Sequence, residues 1–236
     1  MTSVAPGLLV VWTNIGENLD RDFNEWYNRS HLRERILDLP EFVRGRRFVA
    51  FDGGPRYLAL YETRSTAAFH SEPYLALKRN FDPQSSRFVP HFRDTLKVAG
   101  QIVAYAGVAE GSVIALIPIA REAGREDALR EVINADFLAR LLAVEGVVAA
   151  WYAERDAAAV ASAIADHPRA TDRILDAMLV IECTSAEAMN RAAPLIDWVL
   201  IQAHGGKPDV PQARFRLACA VHRPPGAHAS TCRDVP

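Results

Sequence analysis

The chain has little net charge, few cysteines and no long apolar run, and each lack removes a class of protein. Its 27 lysines and arginines stand against 29 aspartates and glutamates, a net charge of −2. A nucleic-acid partner would want a basic excess, so none is expected. Arg44, Arg46 and Arg47 do cluster, and on one strand they read as a solvated face or an anion contact. The three cysteines, Cys183, Cys219 and Cys232, lie far apart with no C-x-x-C spacing. Neither a zinc site nor a disulfide framework follows. An odd cysteine count and the plain start Met1-Thr2-Ser3 fit a reducing cytoplasm. The longest apolar run near the N-terminus falls well short of the roughly 20 residues that a membrane span needs, so no membrane partner is expected. Also missing are a G-x-G-x-x-G after a strand, a P-loop, a G-x-S-x-G and an H-E-x-x-H. No cofactor and no metal are therefore expected.

What the chain does contain is an echo of itself. Gly7-Leu8-Leu9-Val10-Val11-Trp12 resembles Ser112-Val113-Ile114-Ala115-Leu116-Ile117, and Leu58-Ala59-Leu60-Tyr61-Glu62-Thr63 resembles Met178-Leu179-Val180-Ile181-Glu182-Cys183. The second pair lies at an offset of 120, from Glu62 to Glu182, and each strand runs on into a serine, Ser65 or Ser185. Around the first helix the better offset is 105, which sets Glu41-Phe42-Val43 on Gly146-Val147-Val148. The difference fits one longer loop in the second half, around Ala157 to Arg173.

Each half reads as strand, helix, strand, strand, helix, strand. In the first, a strand over Leu8–Trp12 leads through turn and N-cap residues to a helix from Leu19 towards Leu37. That helix carries Leu19, Phe23, Trp26 and Leu37 on one face and stops near Pro40. Strands over Phe42–Phe51 and Tyr57–Tyr61 flank the turn Asp52-Gly53-Gly54-Pro55. A second helix begins after Ser65 and breaks near Pro73, and a last strand covers Leu96–Val108. The second half repeats the order, with helices over Arg125–Leu142 and Ser185–Ala203 and with Gly205-Gly206 as a helix stop. This βαββαβ order is the ferredoxin-like unit. The fold class expected is α+β, two such repeats forming one pseudo-symmetric barrel. Residues 1–109 form the first repeat and 110–223 a degenerate second; 224–236 read as a mobile tail. The two sheets should cover each other's apolar faces, with Leu9, Val11, Leu58, Leu60, Ile114, Leu116 and Leu179 or their alternates inside and the helices outside.

The string Trp26-Tyr27-Asn28-Arg29-Ser30-His31-Leu32-Arg33-Glu34-Arg35, with Pro40-Glu41-Phe42, Arg46-Arg47-Phe48 and Tyr57 to Glu62, resembles the dimeric α+β barrel superfamily, nearest its EthD-like group. Pro73-Tyr74-Leu75-Ala76-Leu77 and Pro90-His91-Phe92-Arg93 are similar to the same group. The resemblance runs over roughly residues 7–108 and reaches the second half only through element order. It implies a small-ligand pocket and leaves the chemistry open, because the superfamily spans cofactor-free monooxygenases, isomerases, cyclases, dehydratases and haem enzymes.

Two sets of residues could carry chemistry. On the first helix, Tyr27, His31 and Glu34 share one flank, with Arg35 beside them. A carboxylate next to an imidazole would favour its protonated form and suit general acid/base work. Offset 105 puts Asp136 where His31 stands, so the second half has lost this set. As a surface network, the same residues would only hold the helix end. A His-x-x-Glu pair could also bind a metal, but no third ligand is apparent. The second set, Trp12, Arg47, Tyr57 and Tyr61 from strands and His91 from the irregular segment, is expected to point into the barrel. There it would bind an aromatic ligand and its carboxylate or enolate; as aromatic strand residues its members could equally be plain core. The function expected is cofactor-independent proton transfer on an aromatic or enolisable small molecule, as an isomerase, dehydratase or cyclase. The alternatives are a non-catalytic ligand-binding protein or a cofactor-free monooxygenase. A further homodimer is compatible with the chain.

Overall fold

The computed structural model describes residues 5–164 and 172–224. The tail expected over 224–236 therefore lies outside the described residues save for its first position. In chain order the first half holds β1 (Gly7–Ile15), α1 (Asp20–Trp26), a π-helical turn (Tyr27–His31), α2 (Leu32–Asp38), β2 (Phe42–Asp52) and β3 (Tyr57–Thr63). A 3-10 turn (Thr66–His70), α3 (Glu72–Arg79), α4 (Pro83–Phe88) and β4 (Phe92–Gly107) follow. The second half holds β5 (Val113–Arg121), α5 (Glu126–Val132), α6 (Ala135–Leu142), β6 (Val147–Arg155), α7 (Ala157–Ala163) and a short β7 (Arg173–Ile174). It ends with β8 (Ala177–Cys183), α8 (Ala186–Ala192), α9 (Trp198–Ala203), β9 (Gly206–Pro208) and β10 (Ala213–His222). None of the described helices is long and apolar enough to cross a membrane.

Eight strands close an antiparallel barrel in the order β1-β3-β2-β10-β5-β8-β6-β4, and β4 returns to β1. Within it the first half runs β4-β1-β3-β2 and the second runs β10-β5-β8-β6, the same order of strands one to four. The sets join along two edges, β2 with β10 and β4 with β6. Closure within the chain leaves no long unpaired barrel edge to seek another molecule.

The register of the two halves agrees in detail. Phe42 pairs with Thr63 and Arg44 with Glu62, with Val43 bulged between them. Val147 pairs with Cys183 and Ala149 with Glu182, with Val148 bulged in the same place. The offsets from Phe42 to Val147 and from Thr63 to Cys183 thus meet at one shared irregularity. In the first strands the pairing matches Gly7 with Val113 rather than Ser112, one residue from the sequence match.

Local chemistry sets the element ends. Asp20 and Asp22 lie in the first turn of α1, where carboxylates favour the helix dipole. The helix expected over 125–142 is split into α5 and α6, because the Asn134 side chain accepts from the Phe137 N–H and starts a new helix. The helix expected over 185–203 is broken at Pro194, and Asp197 caps α9 through the Leu200 N–H. Gly205, at φ +87°, follows α9 as its stop. Gly54 is required twice over: its φ is +51°, and a Cβ there would sit 1.9 Å from the Trp12 ring.

Strand alternation gives each sheet set an inner and an outer apolar face. Leu8, Val10, Trp12, Phe48, Leu58, Leu60, Ile114, Leu116, Trp151, Val180 and Phe215 fill the barrel as one buried cluster drawn from both halves. Leu9, Val11 and Leu179, which the sequence allowed on the inner face, point outward instead, because the pleat admits only Leu8, Val10 and Met178 inside. The clustered arginines are not solvated. Arg46 is 1% exposed inside the barrel, bound to Glu182 at 2.7 Å and to Glu62 at 3.2 Å. Trp151 Nε1 donates to Glu182 Oε1 at 2.9 Å and the Gly111 N–H to Oε2 at 3.0 Å. Burial alone would raise the Glu182 pKa, but these donors outweigh it and hold the carboxyl below its usual value.

Outside the barrel the helices cover each sheet set. The second half packs α5, α6, α8 and α9 residues such as Leu129, Leu138, Met189 and Ile201 on β5, β6 and β8. The first half packs Phe23, Trp26, Tyr27, Leu32, Ile36, Tyr74 and Phe88 on β1, β2 and β3. Ala159 and Ile164, from α7 and its end, belong to this first-half core. Of the longer loop expected around Ala157 to Arg173, residues 157–163 thus form a helix laid against the first half, and residues 165–171 lie outside the described residues.

Candidate functional site

A cavity of about 140 Å³ lies between the outer face of the first-half sheet and its helices. Leu9 and Val11 of β1 and Tyr61 of β3 form its floor. Tyr27, His31 and Arg35 enter from the first helix, Tyr74, Leu77 and Lys78 from α3, and Phe92 and Lys97 from β4. Ala163 and Ile164 reach it from the second half. Two hydrogen bonds fix α7 in place: Ser162 Oγ donates to the Phe69 carbonyl at 2.5 Å, and the Lys78 ammonium donates to the Ser162 carbonyl.

The first helix presents its polar residues through the π-turn. In a regular α-helix, residues five apart are about 140° from each other. The turn, with its N–H bond from Leu32 back to the Tyr27 carbonyl, brings Trp26 and His31 together, ring centroids 4.4 Å apart. Tyr27 meets the same imidazole edge-on at 4.7 Å. His31 is 8% exposed, and its Nδ1 has no hydrogen-bond partner. Burial, then the charges of Arg35 and Arg47, push its pKa well below the usual value, so the ring is neutral. This corrects the expectation of a protonated His31 paired with Glu34. No hydrogen bond joins the two side chains, and burial with the nearby Asp82 charge raises the Glu34 pKa instead.

Tyr27 and Tyr61 share a hydrogen bond of 2.7 Å between their hydroxyls. Burial raises the pKa of both, and for Tyr61 the neighbouring Tyr27 adds to the rise. Two neutral phenols hold two protons and spend one between them. The second O–H can donate to a ligand.

Arg47, Tyr57 and Tyr61 stand elsewhere than the sequence suggested. Trp12 does point into the barrel, but as packed core, its Nε1 donating to the Pro55 carbonyl at 2.6 Å. Arg47, Tyr57 and Tyr61 point out of the barrel, under the helices, because Arg46, Leu58 and Leu60 take the inner positions. The Arg47 guanidinium lies 4.7 Å from the Tyr27 ring centre and 4.9 Å from those of Phe23 and Tyr57. Its Nη1 donates to Asn28 Oδ1 at 2.5 Å, Nη2 has no partner, and no carboxylate of a described residue pairs with it. Burial lowers its pKa. It backs Tyr27 rather than lining the cavity. Tyr57 donates to Asp20 at 2.5 Å and is likewise behind the site. His91 is exposed and does not line it.

The sequence reading missed Tyr74, Lys78, Phe92, Lys97 and Ile164. The first and third sit in the strings that resemble the EthD-like group. The fifth had a signal in the unequal offsets of the two halves.

No protein-family model matches the chain, and no curated protein matches it either. Its fold is similar to that of solved structures. One is an anthrone oxidase-like protein, 11% identical with a TM-score of 0.60, each chain covered over 94%. A protein from Fusobacterium nucleatum, provisionally described as a monooxygenase, is 6% identical with a TM-score of 0.62, covering 94% of this chain and 96% of that one. A mutant chlorite dismutase from Candidatus Nitrospira defluvii is 9% identical with a TM-score of 0.58, covering 92% and 93%. At these identities the likeness is one of fold: an α+β barrel with a closed antiparallel sheet of eight strands.

The superfamily that the sequence resembles includes haem enzymes, but the residues present do not fit a haem. A cavity of about 140 Å³ holds one ring, not a macrocycle, and its single histidine is wedged between Trp26 and Tyr27. Among the described residues no three His, Cys, Asp or Glu side chains gather as a metal would require.

Proposed function

We propose that the protein is a small-molecule enzyme that transfers a proton on an enolisable aromatic substrate, with His31 as base. The observation that carries this reading is the unpartnered Nδ1 of a neutral, buried imidazole on an apolar cavity. A neutral imidazole can take a proton, whereas a protonated one cannot. The free O–H of the Tyr27–Tyr61 pair donates to the substrate carbonyl oxygen as negative charge grows there. Arg35 and, behind Tyr27, Arg47 supply positive charge to the same region. The cavity volume is close to that of an engineered apolar cavity of about 150 Å³ that takes up benzene, so the substrate presents one ring at a time.

From the anion two outcomes follow. Return of the proton to a different atom gives an isomerase. Reaction of the carbanion with dioxygen and a proton gives a hydroperoxide, which loses water to leave a ketone; this is the cofactor-free monooxygenase reading. The likenesses to an anthrone oxidase-like protein and to a provisional monooxygenase favour keeping the second, since anthrone is itself an enolisable aromatic ketone.

The test is hydrogen exchange without oxygen. Phenylacetone and phenylpyruvate in deuterated buffer should gain deuterium beside the carbonyl at least 100-fold faster with the wild-type protein than with His31→Gln. Admitting air then separates the outcomes by oxygen uptake. Exchange no faster than in buffer with either protein would leave a ligand-binding protein without catalysis, and equally fast catalysed exchange with both would remove His31 as the base.

We also infer that the two halves, 1–109 and 110–223, are copies of one ferredoxin-like unit and that only the first kept a site. The common strand order, the shared bulge at Val43 and Val148 and the EthD-like strings of the first half support this. In the second half Tyr152 takes the place of Arg47 in the bulge-based alignment, its hydroxyl buried without a partner.

A further inference from the structure

We propose that the ligand of this cavity enters as an anion, an aromatic carboxylate whose carboxylate is held by Arg35. The inference rests on the same site as the proposed function and names its substrate class.

Charge around the cavity is one-sided. Arg35, Lys78 and Lys97 line it, and no aspartate or glutamate does. Lys78 and Lys97 are engaged elsewhere, Lys78 with the Ser162 carbonyl and Lys97 with Asp172 at 2.7 Å. Arg35 is different. It is half-buried and makes no hydrogen bond or ion pair with any described residue. Asp82, a carboxylate within reach of the Arg35 charge, is already used: its oxygens accept from the Gln84 and Ser85 N–H groups and the Ser85 hydroxyl to cap α4. A guanidinium offers five N–H donors in a planar fork, and a carboxylate matches two of them at once. A half-buried cation with no partner is costly, and an incoming anion would repay that cost.

The second, independent observation is the unpartnered Nδ1 of His31, which lines the same cavity. Arg35 lies one helical turn beyond His31, so both side chains reach the cavity from one face. Much of the remaining wall is apolar or aromatic, Leu9, Val11, Phe42, Tyr74 and Phe92 among it, a surface for a ring. Ring on the aromatic wall and carboxylate on Arg35 places the atoms between them near the His31 imidazole. Arrival of the negative charge also offsets the Arg35 field at His31, which makes the ring a stronger base when a ligand is present.

Binding is measured on the wild-type protein with matched pairs: benzoate against benzamide, and phenylacetate against phenylacetamide. Acetate and inorganic phosphate serve as ring-free anions. The acids should bind at least tenfold more tightly than their amides and than the ring-free anions. Arg35→Gln should remove most of the acid preference, and Arg35→Lys should restore part of it. His31→Gln should still bind the acids, and in wild type the His31 imidazole pKa, followed by NMR, should rise when benzoate binds. Equal binding of acid and amide, or no binding of either acid below 10 mM (a concentration chosen to be about the weakest useful limit), would overturn the inference. Phosphate binding as well as benzoate would also overturn it, since the site would then select charge without a ring. The outcomes separate from those of the proposed function. Exchange on neutral phenylacetone with no preference for acids sinks this inference alone, and tight benzoate binding without exchange sinks the proton-transfer reading alone.

Discussion

A neutral His31 has a consequence for stability that needs no substrate. In the unfolded chain the imidazole takes up a proton below a pH of about 6.5. In the folded protein burial, then Arg35 and Arg47, hold the pKa well below that value. Between the two values the unfolded state binds one more proton, so folding stability falls as pH falls. The loss begins near the unfolded pKa and ends at the folded one. One proton corresponds to a slope of at most about 1.4 kcal/mol per pH unit. From pH 7 to pH 5 this amounts to up to about 2 kcal/mol if the folded pKa stays below the window. His31→Gln keeps a polar side chain of similar reach and does not titrate. Urea unfolding of both proteins at pH 7, 6 and 5 isolates the effect, because the other titrating groups largely cancel in the difference. Wild type should lose stability relative to His31→Gln at each step down. A difference that stays constant across the range would refute the neutral imidazole, and with it the base assigned to the reaction. The same shift predicts that exchange catalysis stays flat as pH passes down through 6.5, where an unperturbed histidine would lose activity.

Three further outcomes follow from the packing. Glu182→Ala strips Arg46, 1% exposed, of its stronger partner; it should cost about 3–5 kcal/mol in chemical denaturation, and adding Arg46→Met should recover much of it. Gly54→Ala puts a Cβ at positive φ against the Trp12 ring; it should destabilise by about 2 kcal/mol or more and perturb tryptophan fluorescence. Ile164→Ala, at a side chain 5% exposed that joins α7 to the first-half core, should cost about 2 kcal/mol or more and weaken benzoate binding, whereas a residue outside the cavity wall would leave binding unchanged.

Much of this molecule is local and could be read from the chain. Period-two runs such as Leu58 to Thr63 and Met178 to Cys183 mark strands because a pleated strand sends alternate side chains to opposite faces. The Asp52-Gly53-Gly54-Pro55 turn follows from residues that tolerate its backbone, and Tyr27, His31 and Arg35 stand out as polar residues at helical spacing. The similarity of the halves carried the strand order, since equal patterns pack in equal ways. Other features depend on residues far apart in the chain. Alternation says that Leu8 and Leu9 face opposite ways but not which faces the barrel; closure of eight strands decided that Leu8 does and that Arg47, Tyr57 and Tyr61 look out beneath the helices. The π-turn that sets His31 against Trp26 has no signature in residue spacing, because packing on the sheet selects it over the regular helix. The neutral state of His31 comes first from burial, which the local sequence does not show, then from Arg35 one turn along the helix and from Arg47 on β2. The cavity itself was decided last, by α7 of the second half crossing to the first, a contact between residues more than eighty positions apart.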